Sequence, residues 1–160
     1  MPTPPTILLY GHDELLLMTR SRILVGAGFR ACMTCEVRQI PQLVRELQAD
    51  LVVLCHSLSC RERVVAGMVA KNHRAEVRTL MIVADGSMGE CDCGFSEVAD
   101  EIFNLSLEPE KLVEKVRSML KDRLQSRLRI RHHLWSQFHS ETGNTAAARL
   151  TSATVAGSLF

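Results

Sequence analysis

Short apolar runs alternate with longer stretches of helical spacing over the first 120 residues of this chain. Two of the runs, Ile7 to Tyr10 and Leu51 to Cys55, are continuously apolar. Such runs are typical of strands buried on both faces, as in parallel sheets. Phe29 to Thr34, Thr79 to Ala84 and Glu101 to Leu105 complete a set of five predicted strands.

Helices are predicted between these strands. Glu14 to Val25 has apolar residues at helical spacing, and Gly26-Ala27-Gly28 then provides a glycine-rich end. Pro41 to Gln48 begins with a proline suited to a first turn. Arg61 to Lys71 is predicted to be amphipathic. Its predicted inward residues are Val64, Val65, Met68 and Val69.

The alternation indicates an α/β fold, a parallel sheet with helices on both faces. Right-handed crossover connections leave few topologies for five such strands. We expect the flavodoxin-like order 2-1-3-4-5. In that order a crevice opens at the carboxyl ends of strands one and three.

The segment Ala99 to Leu112, ADEIFNLSLEPEKL, leads into the fifth strand and opens a long helix at Pro109. It resembles the receiver (CheY-like) domain of response regulators, in which Gly-Ala-Asp-Asp-Tyr precedes this strand and Pro-Glu-Glu-Leu follows it. Gly28-Phe29 and Ala49-Asp50-Leu51 fit the same register. The resemblance extends from Thr6 to about Leu120 and implies a signalling domain of two-component systems or phosphorelays.

This chain departs from the receiver pattern at each position that phosphorylation needs. The resemblance places these positions at Gly11 and His12 (the acidic pair that holds magnesium), Cys55 (the phosphoacceptor aspartate), Val83 (the switch hydroxyl), Leu105 (the lysine) and Ser106 (the proline after it). Without magnesium and lysine, nothing neutralises the charge that develops in phosphoryl transfer. The resemblance therefore implies a degenerate, non-enzymatic pseudo-receiver with no catalytic residue, metal or cofactor.

Two acids near the expected crevice offer an alternative to this loss of metal binding. Asp13 and Asp85 could approach the crevice if the loops rearranged. The simpler interpretation, which we favour, makes both of them solvated loop acids. Asp13 is then expected to cap the first helix.

The six cysteines are expected to be mostly reduced thiols. Cys32 and Cys35 form a C-x-x-C pattern, but at the end of a strand their side chains point to opposite faces, which disfavours a disulfide. An alternative function is a thiol or metal sensor that uses Cys55 with His12, or the loop that holds Cys91 and Cys93. The favoured interpretation is an inert Cys55 in a vacated pocket, while Cys60 opens the third helix.

An apolar stripe continues past the predicted domain. Leu112, Val116, Leu120 and Leu124 recur every four residues, and arginines without acids follow between Arg123 and His139. A stripe of this kind favours pairing with a second copy or another protein. The predicted interaction face comprises Phe103, Leu107, Leu120, Leu124, Arg127, Arg131 and Trp135. A basic adaptor helix that binds membrane or nucleic acid is a further alternative.

Composition and charge restrict the functions that remain. A net charge of +1 argues against a uniformly basic surface, and the chain lacks a recognition-helix pattern, so nucleic acid is not the expected partner. With no apolar run of spanning length and no secretory pattern, we expect a cytoplasmic protein. The predicted organisation is a disordered start (1–5), the receiver-like domain (6–121), a basic helical extension (122–139) and a disordered tail (140–160).

Overall fold

The computed structural model describes residues 3–84, 95–104 and 108–121. Within them the strands are β1 (Thr6–Tyr10), β2 (Arg30–Thr34), β3 (Leu51–Leu54), β4 (Arg78–Val83) and β5 (Glu101–Asn104). The helices are α1 (Glu14–Gly26), α2 (Ile40–Glu46), α3 (Cys60–His73) and α4 (Phe95–Val98). A 3-10 turn (Val37–Gln39) precedes α2. Residues 109–121 are helical and are called the final helix below.

The five strands form one parallel sheet in the order β2-β1-β3-β4-β5, which confirms the predicted fold class and strand order. Tyr10 at the end of β1 pairs with Leu54 at the end of β3, and Leu54 pairs with Met81 of β4. Because parallel strands end at the same edge, the residues that follow β1 and β3 lie side by side there.

Apolar clusters cover both faces of the sheet. On one face, α1 and the final helix pack through residues such as Leu17, Leu24 and Val116. On the other face, α2 and α3 pack through residues such as Val44 and Ala66. All five residues of β1 and all four of β3 are buried, as their apolar sequences predict.

Helix α1 begins and ends as its sequence predicts. The Asp13 carboxylate accepts a hydrogen bond from the backbone N–H of Leu16 at 2.9 Å, which confirms the capping role. The helix ends at Gly26, and Gly28 follows with φ of +93°, a conformation that favours glycine.

The predicted inward face of α3 is wrong in part. Val65 and Met68 are 44% and 51% exposed, and the buried residues are Arg63, Ala66, Gly67 and Ala70. The reason is close packing: a Cβ atom built on Gly67 would overlap the Val98 side chain of α4. The small residues of α3 allow this approach, so Val65 and Met68 turn toward solvent, whereas Val64 and Val69 are partly buried against the cluster on this face.

Candidate functional site

The strand ends of β1 and β3 bring together the residues that the receiver resemblance assigns to the acidic positions. The Cys55 backbone N–H donates to the Tyr10 carbonyl at 2.9 Å, and the His12 backbone N–H donates to Ser57 Oγ at 3.0 Å. These hydrogen bonds hold the loop after β1 directly against the loop after β3. The residues expected to line the crevice therefore lie side by side and are closely packed.

Gly11 lies so close to Cys55 that a side chain has no room there. A Cβ atom built on Gly11 would lie 2.9 Å from Cys55 Cβ and 2.9 Å from Ser57 Oγ. Real Cβ atoms do not approach other atoms so closely, so either neighbour would have to move. The space that an acidic side chain would occupy is thus filled by the neighbouring loop.

The Cys55 side chain is fully buried at the end of β3. Burial raises the pKa of its thiol, and the nearby Arg20 guanidinium opposes this rise only in part, through its charge and a hydrogen bond. A thiolate is the reactive form of cysteine, and a raised pKa makes it rarer. The environment of Cys55 fits the inert thiol that the sequence favours.

His12 is paired with Glu62, whereas a thiol–imidazole pair would require it to contact the Cys55 thiol. Its Nε2 lies 2.9 Å from Glu62 Oε1, and both side chains are largely exposed. Hydrogen bonds from Ser59 and then from His12 lower the pKa of Glu62 to about 2. Ser59 and Glu62 form the capping box at the start of α3. His12 thus extends a helix cap, whereas the Cys55 thiol lies near Arg20.

The remaining pocket positions are only partly described. Val83 ends β4, is buried, and pairs in register with Asn104. Its apolar side chain cannot donate a hydrogen bond. Leu105, Ser106 and Asp85 lie outside the described residues. Over residues 3–84, 95–104 and 108–121, no group of three or more His, Cys, Asp or Glu side chains is placed to hold a metal ion.

Arg20 and His56 form a polar pair that the sequence did not reveal. Arg20 is 5% exposed on the inner face of α1, and its Nη2 lies 3.2 Å from His56 Nδ1. Arginine only donates hydrogen bonds, so His56 Nδ1 accepts and the imidazole proton resides on Nε2. Burial, followed by the charges of Arg20 and Arg63, lowers the pKa of His56 and keeps it neutral.

A cavity of about 370 Å³ adjoins this pair, between α1, the ends of β4 and β5, and the final helix. Its lining is mostly apolar. The lining residues are Leu16, Thr19, Arg20, Ile23, His56, Ile82, Phe103, Glu108, Pro109 and Leu112. Arg20 lies in the polar run Thr19-Arg20-Ser21-Arg22, so the sequence carried no signal that distinguishes it from a solvent-exposed arginine.

The predicted interaction face requires a correction at Leu120. Leu120 is 3% exposed and packs in the cluster beneath α1 and the final helix, so it is not accessible to a partner. It lies on the side of the final helix that covers the sheet. Phe103 is half-buried and lines the cavity. Leu107, Leu124, Arg127, Arg131 and Trp135 lie outside the described residues.

The described cysteines are free except for one. Cys32, Cys35 and Cys55 are free, which agrees with the predicted absence of a Cys32–Cys35 disulfide. Cys60, the first residue of α3, is disulfide-bonded and is the exception among described thiols that were expected to be mostly reduced. Composition alone does not reveal which cysteines are paired. Cys91 and Cys93 lie outside the described residues.

Several solved structures that share this fold are receiver domains. A CheY-like receiver domain protein from Methanospirillum hungatei superposes with a TM-score of 0.67 at 17% identity, covering 78% of this chain and 99% of that one. The receiver domain of an HD domain-containing protein from Pseudomonas fluorescens gives 0.66 at 15%, covering 77% and 99%. A CheY chemotaxis protein from Vibrio cholerae gives 0.62 at 13%, covering 73% and 99%.

The chain therefore has the fold of response-regulator receiver domains, the signalling modules of two-component systems. No known family profile matches the sequence, and no curated protein matches it significantly. At these identities the comparison establishes the fold alone. In the described part of the chain, no helix is both long and apolar enough to cross a membrane.

Proposed function

We propose that this protein is a non-enzymatic signalling module that acts through protein contacts and does not use aspartyl phosphorylation. The observation that carries the proposal is the contact between Gly11 and Cys55. In a receiver these positions supply a magnesium ligand and the phosphoacceptor. Here one has no side chain, and the other is a buried thiol.

The electrostatics of the strand ends support the same proposal. Phosphoryl transfer requires cations that neutralise the charge developing on the transferred group. Magnesium is held by oxygen ligands, whereas the side chain at position 12 is an imidazole already bonded to Glu62. Arg20 lies beside the Cys55 thiol, whose pKa is raised by burial, and the His56 imidazole, whose pKa is lowered by burial.

Magnesium binding gives a direct test. Calorimetric titration of the full chain with magnesium chloride is expected to show no saturable heat at millimolar concentration. A parallel titration of a receiver domain that retains its acidic pair serves as the positive control. Saturable binding that His12→Ala removes would overturn the proposal, because it would show a rebuilt magnesium site.

For the protein contact, we propose self-association through the basic extension that follows the final helix. The support is the sequence pattern: Leu112 and Val116 bury one edge of an apolar stripe against the sheet, and the stripe continues to Leu124 and beyond. Light scattering on the full chain, and on a version ending at Asp122, tests this. A dimer that becomes a monomer on truncation supports the contact; two monomers contradict it.

A further inference from the structure

The cavity beside Arg20 combines a buried cation with apolar walls. Arg20 Nη1 is buried and has no hydrogen-bond partner among the described residues. Its Nη2 meets His56 Nδ1, an uncharged acceptor. Over the same described residues, no carboxylate lies within ion-pair distance of Arg20. A buried guanidinium without a counterion is strongly disfavoured, so this arrangement is incomplete as it stands.

Arg63 is a second buried arginine, and it does not line the cavity. Its Nη1 donates to the Ile82 backbone carbonyl at 3.1 Å. Arg20, in contrast, does line the cavity. The unsatisfied donor and the open volume therefore occur at one place.

The walls define what could fill this volume. Leu16, Ile23, Ile82, Phe103 and Leu112 supply an apolar surface, and Glu108 at the lining forms an ion pair with Lys111 at 3.0 Å. A volume of about 370 Å³ is near the lower end of the range for small-molecule sites, ~300–1,000 Å³. A mostly apolar body with one polar end matches these walls.

We propose that the cavity binds a small aliphatic or aromatic monocarboxylic acid. Its carboxylate would accept a hydrogen bond from Arg20 Nη1, and its apolar body would pack between α1 and the final helix. A single guanidinium suits a single negative charge. A phosphate dianion would need a second positive charge, and the lowered pKa of His56 disfavours its charged form. Binding of the acid in this cavity would not depend on whether the chain can be phosphorylated.

Calorimetric titration of the full chain with octanoate tests the proposal, with octan-1-ol as the uncharged comparison. Octanoate is expected to bind saturably, and at least tenfold more tightly than octan-1-ol, because a charge-assisted hydrogen bond is lost in the alcohol. Equal affinities, or no saturable binding of octanoate at millimolar concentration, would overturn the proposal.

Two variants and a matched control locate the site. Arg20→Met should weaken octanoate binding at least tenfold, and Arg22→Met, on the exposed side of the same helix, should leave it unchanged. Ile23→Trp should abolish binding by filling the cavity without altering the charge. Octanoate binding that survives Ile23→Trp would contradict the assignment, even if Arg20→Met fails to fold.

Thermal unfolding without ligand separates a binding role from a structural one. If Arg20 mainly awaits an anion, Arg20→Met removes an uncompensated buried charge and should keep or raise the melting temperature. A large fall in melting temperature, together with unchanged octanoate affinity, would assign Arg20 a purely structural role and overturn the proposal.

Discussion

Gly11 and Cys55 are in direct contact at the carboxyl edge of the sheet, and only the absence of a side chain at Gly11 permits it. A Cβ atom at position 11 would lie 2.9 Å from that of Cys55. The two residues that the receiver resemblance assigns to phosphorylation positions form a packing contact. The contact also makes Gly11 a structural requirement of this chain.

Replacing Gly11 with alanine is therefore expected to destabilise the fold. The new methyl group forces Cys55 and Ser57 to move, and overpacking of this kind costs about 1–3 kcal/mol. Gly26→Ala is the control, because a Cβ atom there meets nothing within 4 Å and should be neutral or stabilising. Urea unfolding measures both variants. A Gly11→Ala variant as stable as the wild type would show that Gly11 is not tightly packed.

Close packing between α3 and α4 gives a second prediction. Gly67→Ala should be destabilising despite the better helix propensity of alanine, because the methyl group meets Val98. Combining it with Val98→Ala removes the clash. The double variant should thus be more stable than the sum of the two single effects by about 0.5–3 kcal/mol. Simple additivity in urea unfolding would contradict the contact.

The cysteines should react with iodoacetamide in an order set by their exposure. Cys35 is exposed and free and should react first, whereas Cys55 is buried and has a raised pKa, so its reaction requires opening of the fold. Cys60 should remain unmodified in denaturant until a reductant is added. Peptide mass spectrometry reads each site. Rapid native modification of Cys55 would revive the thiol-sensor alternative.

Glu62 should make a contribution to stability that depends on acid pH. Its pKa falls from 4.5 to about 2 on folding, so the contribution is complete above about pH 4.5 and is lost as the pH falls toward 2. Because the carboxylate is exposed, solvent keeps this contribution small. Wild type should exceed Glu62→Gln in stability at pH 6, and the two should converge near pH 2.

Glu46→Gln is the control for that comparison, since it removes a carboxylate from the exposed face of α2 without touching a helix cap. Its stability difference from wild type should be small at both pH values. A difference for Glu62→Gln that stayed constant down to pH 2 would show that the lowered pKa has another origin.

The sheet could be predicted because the apolar run that identifies a buried strand lies within the strand itself. Ile7 to Tyr10 of β1 and all four residues of β3 are continuously apolar, and such runs are buried wherever the helices lie. The inner face of α3 was mispredicted because Gly67 and Ala66 contribute little hydrophobicity, and their burial depends on the close approach of Val98. Hydrophobic spacing does not detect contacts made through small residues.

The sequence predicted only which receiver residues the site lacks. Gly11, His12, Cys55 and Val83 are visible as departures from a receiver pattern. The new arrangement depends on contacts between distant residues: His12 with Glu62, fifty positions apart, and Arg20 with His56, thirty-six apart. A charged residue on a helix is normally placed outward from sequence, so the burial of Arg20 required the packed structure.

Incubation of the full chain with acetyl phosphate and magnesium, followed by intact mass spectrometry, tests the loss of phosphorylation most directly. A receiver that retains its aspartate, treated in parallel, shows that the reagent is active. We predict an unchanged mass for this protein. A stoichiometric phosphoryl adduct, stable in acid and labile in base, would contradict the account.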